Sequence, residues 1–234
     1  MLTRLAIINR RSHDSNILSE ASGSTRFSLI CFFVLFFLFA GISLKSPAQD
    51  MATCDSLIMV GVKNMFDQKY ALAFEDLNKA REIAEKNDWY KQQFLALNNI
   101  GLTYFKILDY GNAVSYYLNA YELAISNKAP VDEMTVLNNI AIVYIRDNNY
   151  KQALGYFLKS YELARQNNIP SRIGLYATNL AQLYYEMKDY SAANQYIEIA
   201  LPNLKEDPKT LLNAHLVQNM LLLEEGQATE AIRN

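Results

Sequence analysis

Three asparagines, Asn99, Asn139 and Asn179, stand 40 residues apart, and Asn98 and Asn138 sit beside the first two. A side-chain amide carries both a donor and an acceptor, so it can bond a peptide backbone whatever side chains that peptide carries. A ladder of such amides suits the capture of an extended chain. The same amides can equally bond a neighbouring structural element and fix its packing angle. Catalytic chemistry has thinner support. His13 and His215 are far apart, and His215 lies between Ala214 and Leu216 in a helical pattern, where it reads as a packing or surface residue. Cys31 falls within an apolar run and Cys54 shortly after it, so no cysteine–histidine cluster has metal-ligand spacing. There is no glycine-rich phosphate loop, nucleophile elbow or zinc-binding His-Glu motif. Glu82, Glu122 and Glu162 recur by 40 and read as solvated helix positions. The expectation is a binding protein without cofactor or metal. A net charge of −2 argues against nucleic acid as the partner.

The elements that position these residues are repeated. LNNIGLTYFKILDYGNAVSYYLNAYELA from Leu97 realigns with LNNIAIVYIRDNNYKQALGYFLKSYELA from Leu137. Tyr70, Tyr110, Tyr150 and Tyr190 keep the same spacing, as do Ala73, Ala113, Ala153 and Ala193, the set Val60, Ile100, Ile140 and Leu180, and the small set Gly61, Gly101, Ala141 and Ala181. A fixed period of this length marks a repeat architecture. Each unit divides into two amphipathic helices, the first with apolar residues at Leu97, Ile100, Gly101 and Tyr104, the second beginning near the tyrosine column. Short polar breaks at Asp109, Asp147-Asn148-Asn149 and Lys188-Asp189 separate the two. The small columns let helices cross closely, the tyrosine column packs in the core, and Tyr104, Tyr144 and Tyr184 fill the space between hairpins. Helix stops at Asn127–Pro130, Asn167–Pro170 and Glu206–Pro208 separate the units, with Ser171 as the expected cap of the following helix. With 8 glycines and 5 prolines against 51% hydrophobic residues, an all-β fold is disfavoured and a sizeable core is available.

Leu97, Ile100, Gly101, Tyr104, Ala113, Tyr117 and Ala120 resemble the tetratricopeptide repeat. So do Leu137, Ile140, Ala141, Tyr144, Ala153, Phe157 and Ser160, and Ala177, Leu180, Ala181, Tyr184, Ala193, Ile197 and Ala200. The resemblance implies an all-α fold, a right-handed α-solenoid of tandem helix hairpins, with four units of about 40 residues over 55–208 and a partial fifth over 209–234. The family's usual unit is about 34 residues, so these hairpins are longer by roughly a turn and a half. The resemblance also implies that first helices line a concave groove that grips a protein or peptide. The inward residues are then Asn98, Asn99, Asn138, Asn139, Thr178 and Asn179. Leu102, Phe105 and Lys106, then Ile142, Ile145 and Arg146, then Gln182, Tyr185 and Glu186 follow on the same face. Lys106 and Arg146 give that groove a basic edge, or are simply solvated charges.

Residues 1–48 read as a leader. Phe27–Leu44, FSLICFFVLFFLFAGISL, is apolar on every side and follows Arg4, Arg10, Arg11 and Arg26. Two readings stay open: an export signal cleaved after Ala48, or an uncleaved membrane anchor. Either puts residues 50–234 outside the cytoplasm, in the periplasm or an equivalent space. The chain stops about one turn into the second helix of the fifth unit. That predicts an open apolar end, available for self-association or for continuation into an output region.

Overall fold

The computed structural model describes residues 47–224 and Gly226; the apolar run and the last residues, with the expectations attached to them, lie outside the described residues. Nine helices follow one another and no strand occurs among the described residues: α1 (Pro47–Phe66), α2 (Tyr70–Lys86), α3 (Tyr90–Lys106), α4 (Tyr110–Ser126), α5 (Pro130–Arg146), α6 (Tyr150–Gln166), α7 (Pro170–Glu186), α8 (Tyr190–Asn203) and α9 (Pro208–Glu224). Each odd helix packs on the even helix after it, giving four hairpins, and α9 packs on α7 and α8 as the first helix of a fifth. Among the described residues, no helix is long and apolar enough to cross a membrane.

The metre of the fold is set in the turns. Gln68, Asp88, Leu108, Lys128, Asn148, Asn168 and Lys188 all have positive φ, between 51° and 66°, and they recur every 20 residues. Each sits just past a helix and closes it with paired backbone bonds. At the end of α3, Asp109 N donates to Tyr104 O (3.0 Å) and Leu108 N donates to Phe105 O (3.1 Å). This is the Schellman arrangement, which satisfies the orphan carbonyls of the last turn. It normally uses glycine, yet none of the seven is glycine. Asp109, Asn149 and Asp189 then cap the next helix, accepting from Asn112 N, Gln152 N and Ala192 N. Helices α5 and α7 start instead with Pro130 and Pro170 at their first positions, where a missing N–H is harmless. The expected cap at Ser171 is therefore wrong. Ser171 lies inside α7, and Ile169 occupies the cap position without a side-chain bond.

Small residues where helices cross close the hairpins. A Cβ added at Gly101 would lie 2.9 Å from the Tyr117 ring, and one at Gly61 would lie 2.7 Å from Leu77 Cγ. Ala113, Ala153 and Ala193 are fully buried on the partner helices. Tyr104, Tyr144 and Tyr184 fill space within their own hairpins, stacking on Tyr116, Tyr156 and Tyr196 at 5.3, 5.6 and 5.5 Å between ring centroids. Only Tyr104 also meets an aromatic of the preceding hairpin, Phe74 at 4.5 Å. In the first unit an Asn64 to Asp76 hydrogen bond replaces the ring pair at the same two positions. Tyr70, Tyr110, Tyr150 and Tyr190 open the even helices and are half-buried rather than core. Val60 also departs from its column. It is 41% exposed, whereas Ile100, Ile140 and Leu180 are fully buried against a preceding hairpin that α1 lacks among the described residues.

Two predictions follow from this packing. Leu108 is 70% exposed and left-handed; that conformation costs an L-residue about 1–2 kcal/mol, against about 0.5–1 kcal/mol of added chain entropy for glycine. Leu108→Gly should therefore stabilise the fold by about 0.5–1 kcal/mol in urea unfolding. A loss of stability would mean the Leu108 side chain contributes packing after all. Burial also lifts the Tyr117 and Tyr176 phenols above their ordinary 10.0. A raised acid binds more protons folded than unfolded, so its stabilisation is complete below pH 10.0 and drains as pH rises through the folded value. Alkaline titration should show unfolding beginning above about pH 10, with Tyr117→Phe shifting the onset upward.

Candidate functional site

The odd helices share one face, and their spacing along it is uneven. Helices α1 and α3, and α7 and α9, approach closely, while α3 and α5, and α5 and α7, meet less along their backbones. Even helices make no comparable contacts with one another among the described residues, so the odd side is the tighter side of the stack. One buried column varies in size along with that spacing. Ala96, Val136, Tyr176 and Ala214 occupy equivalent buried places on α3, α5, α7 and α9. Approach to the preceding odd helix is closest at the two alanines and looser at the bulkier Val136 and Tyr176. Tyr176 is a wedge: its ring is fully buried and its hydroxyl meets Arg172 Nη1 (3.5 Å) and Thr135 of α5.

Above the wedge the surface opens into a cleft of about 480 Å³. Ile142, Ile145 and Arg146 line it from α5, and Asn179, Gln182 and Glu186 from α7. Arg146, Gln182 and Glu186 are exposed, and no ion pair closes between Arg146 and Glu186. Of the predicted site residues, the cleft thus brings Arg146 and Asn179 together. Lys106 lies one helix away, its Nζ 5.9 Å from the centre of the Phe66 ring. Tyr185 is turned towards α9, where its hydroxyl donates to Glu224 Oε1 (3.1 Å).

The asparagine ladder is half-buried and engaged within the stack. Asn139 Nδ2 donates to Asn98 Oδ1 (3.0 Å), Asn179 Nδ2 donates to Asn138 Oδ1 (2.7 Å), and Asn99 Nδ2 donates to Leu95 O (2.7 Å). The first two links tie α3 to α5 and α5 to α7, and the third lies within α3. The spacing of Asn98 against Asn139, 41 residues apart, is the register signal for that bond. A second tie had no sequence signal: Asp132 is 9% exposed, accepts from Tyr90 Oη (2.6 Å) and pairs with Lys91 Nζ (2.7 Å). Burial, then the bond to Asp132, pushes the Tyr90 phenol well above its ordinary range. Cys54 is fully buried, and its Sγ donates to Ala80 O (3.2 Å). His215 Nδ1 lies 3.2 Å from Gln218 Oε1 within one turn of α9. No group of acidic, histidine or cysteine side chains able to hold a metal occurs among the described residues.

The tetratricopeptide repeat model matches residues 92–166 and again 132–206, each match covering almost two 40-residue units. The chain is a tetratricopeptide repeat protein. Comparison with curated protein sequences gave no match. Among solved structures, BtubC (BKLC) from P. vanneervenii is similar at a TM-score of 0.70 and 18% identity, over 90% of this chain and 85% of that one. A Rap protein complexed with Competence and Sporulation Factor is similar at 0.63 and 18%, over 76% and 50%. NprR in complex with its cognate peptide NprX is similar at 0.59 and 17%, over 95% and 71%. The chain spans about half the length of that Rap structure. At these identities the likeness establishes the shared fold of stacked hairpins.

The wedge can be tested within this tetratricopeptide stack. Tyr176→Val restores the residue of the preceding unit at Val136 and should let α7 approach α5. Spin labels at positions 146 and 182 should then report a shorter mean separation by pulsed electron resonance. An unchanged distance would show that the cleft is held open by something other than the Tyr176 ring.

Proposed function

We infer that residues 47–224 form a peptide- or protein-binding module acting outside the cytoplasm, whose ligand lies across the odd helices and enters the cleft between α5 and α7. The observation that carries this reading is the lining of that cleft. Ile142 and Ile145 supply apolar contact, Asn179 and Gln182 supply amides, and Arg146 and Glu186 supply charges at the place where the stack opens. A concavity in which polar groups converge beside apolar contacts is a usual form of ligand site. Rap and NprR, solved with Competence and Sporulation Factor and with peptide NprX, support a stack of this kind as a receptor. The basic leader and apolar run at residues 27–44 support export, or anchoring in the membrane if the run is retained. The Asn98–Asn139 and Asn138–Asn179 pairs then act chiefly as the frame. Lys106, Arg146 and the remaining capacity of Asn99, Asn179 and Tyr185 face the ligand.

The test is site-specific photo-crosslinking in the full chain. A photoreactive side chain at Gln182 should give discrete adducts with a peptide or protein, and the same group at Lys159, exposed on α6, should not. Arg146→Glu should reduce the Gln182 adduct severalfold. Adducts at Lys159 alone would move the binding surface to the even helices.

A further inference from the structure

One column of the odd-helix face changes character along the stack. Phe66, Lys106, Arg146, Glu186 and Glu224 occupy equivalent exposed positions in the last turns of α1, α3, α5, α7 and α9. Read in order, the face runs apolar, basic, basic, acidic, acidic. Met59, one helical register below Phe66, is 69% exposed and extends the apolar end.

These charges differ from those on the even helices. There, Lys79 pairs with Glu75 at 2.6 Å, Arg81 with Glu85 at 2.8 Å, and Arg165 with Glu162 at 3.2 Å, each within one helix. Among the described residues, Lys106, Arg146 and Glu186 enter no ion pair. The change of sign falls across the α5–α7 cleft, with Arg146 on one wall and Glu186 on the other. Both line the same concavity without neutralising each other, so an incoming chain meets opposite fields on its two sides.

We propose that this column reads the charge order of an extended peptide segment. An aspartate or glutamate of the ligand faces Arg146, and a second one faces Lys106. A lysine or arginine faces Glu186, and an apolar residue lies on Phe66. The inference rests on the peptide-binding reading above and names the ligand class for it. Packed helices lie about 8–10 Å apart and an extended chain advances about 3.3 Å per residue, so neighbouring ligand charges fall about three residues apart. Across the wedged α5–α7 gap the acidic-to-basic spacing stretches to about three or four. Complementary charges of this kind set the orientation and the choice of partner more than raw affinity, because exposed pairs are individually weak. The apolar end and the amides of Asn179 and Gln182 carry the remaining contacts.

The experiment is selection of random twelve-residue peptides displayed on phage against the full chain in detergent, with Arg146→Glu and the double variant Arg146→Glu/Glu186→Arg selected in parallel. The side chains at both positions are exposed, and circular dichroism verifies that both variants keep the parent fold. The parent should enrich peptides with an acidic residue and a basic residue three or four positions apart, in one fixed order relative to an apolar residue. Their affinity should fall at least tenfold with Arg146→Glu and weaken in high salt. The double variant should enrich the same spacing with the two charges exchanged. Enriched peptides lacking this order, or insensitive to both variants, would overturn the charge reading while leaving peptide binding intact. No enrichment above an empty surface would overturn both.

Discussion

A left-handed residue every 20 positions governs this molecule. Because each of those seven turns closes the helix before it and starts the helix after it within three residues, most helices come out at 17 residues and successive odd helices superpose after 40. No side chain in the stack could hold a fixed position relative to its counterparts without that metre. The exception makes the point. Helix α8 is 14 residues long and carries Pro202 near its end, and from there the repeat shortens so that α9 begins 38 residues after α7. Leu204 follows, fully buried, and reaches back to Gly174, where an added Cβ would lie 2.6 Å from Leu204 Cγ. The shortened turn is absorbed by a local leucine–glycine fit, and the order of columns survives.

With the metre fixed, substitutions within a column become geometry. The stacked tyrosine pair is kept in three hairpins and replaced by a hydrogen bond in the first, with the two helices still closed. The column of Ala96, Val136, Tyr176 and Ala214 behaves differently, because it lies between one hairpin and the next. A larger side chain there lies between hairpins rather than within one, as Tyr176 does where it meets Thr135 of α5. Close-packed interiors pass such volume changes to the backbone rather than absorbing them. The cleft opens between the same two helices as that buried ring.

Much of this was legible from spacing alone. Four columns in register predicted hairpins, and the tyrosine column marked where even helices begin. The misses have separate causes. Ser171 looked like a cap because serine is a favoured cap residue and Pro170 keeps its predecessor out of helical geometry, but the turn had already been closed by Asn168 in the left-handed conformation, and proline itself took the first helical position. Left-handed turns built from Gln, Asp, Leu, Lys and Asn carry no compositional mark, since the usual mark is glycine. The Tyr90–Lys91–Asp132 tie was invisible because it is not repeated, and a pattern search by period finds only what recurs. Tyr176 was invisible for the opposite reason. It sits in a column whose members are all apolar or aromatic, so nothing in its type or spacing singles it out.

The contrast between the two polar columns bears on what a repeat stack can recognise. The asparagines recur, and four of them pair across units: Asn98 with Asn139, Asn138 with Asn179. A column conserved from unit to unit in one chain reports a demand every unit shares, and the demand every unit shares is to hold its neighbour. Discrimination between ligands needs the reverse, a position free to differ because it supports nothing. Arg146 and Glu186 in the column of position 106 come nearest to that condition, while Lys106 lies over the Phe66 ring and Glu224 accepts from Tyr185. The members of that column are exposed, they end the odd helices, and they run from Phe66 through Lys106 and Arg146 to Glu186 and Glu224. Regular columns therefore build the surface, and the irregular column written across it is where a sequence-specific partner can be told from any other extended chain.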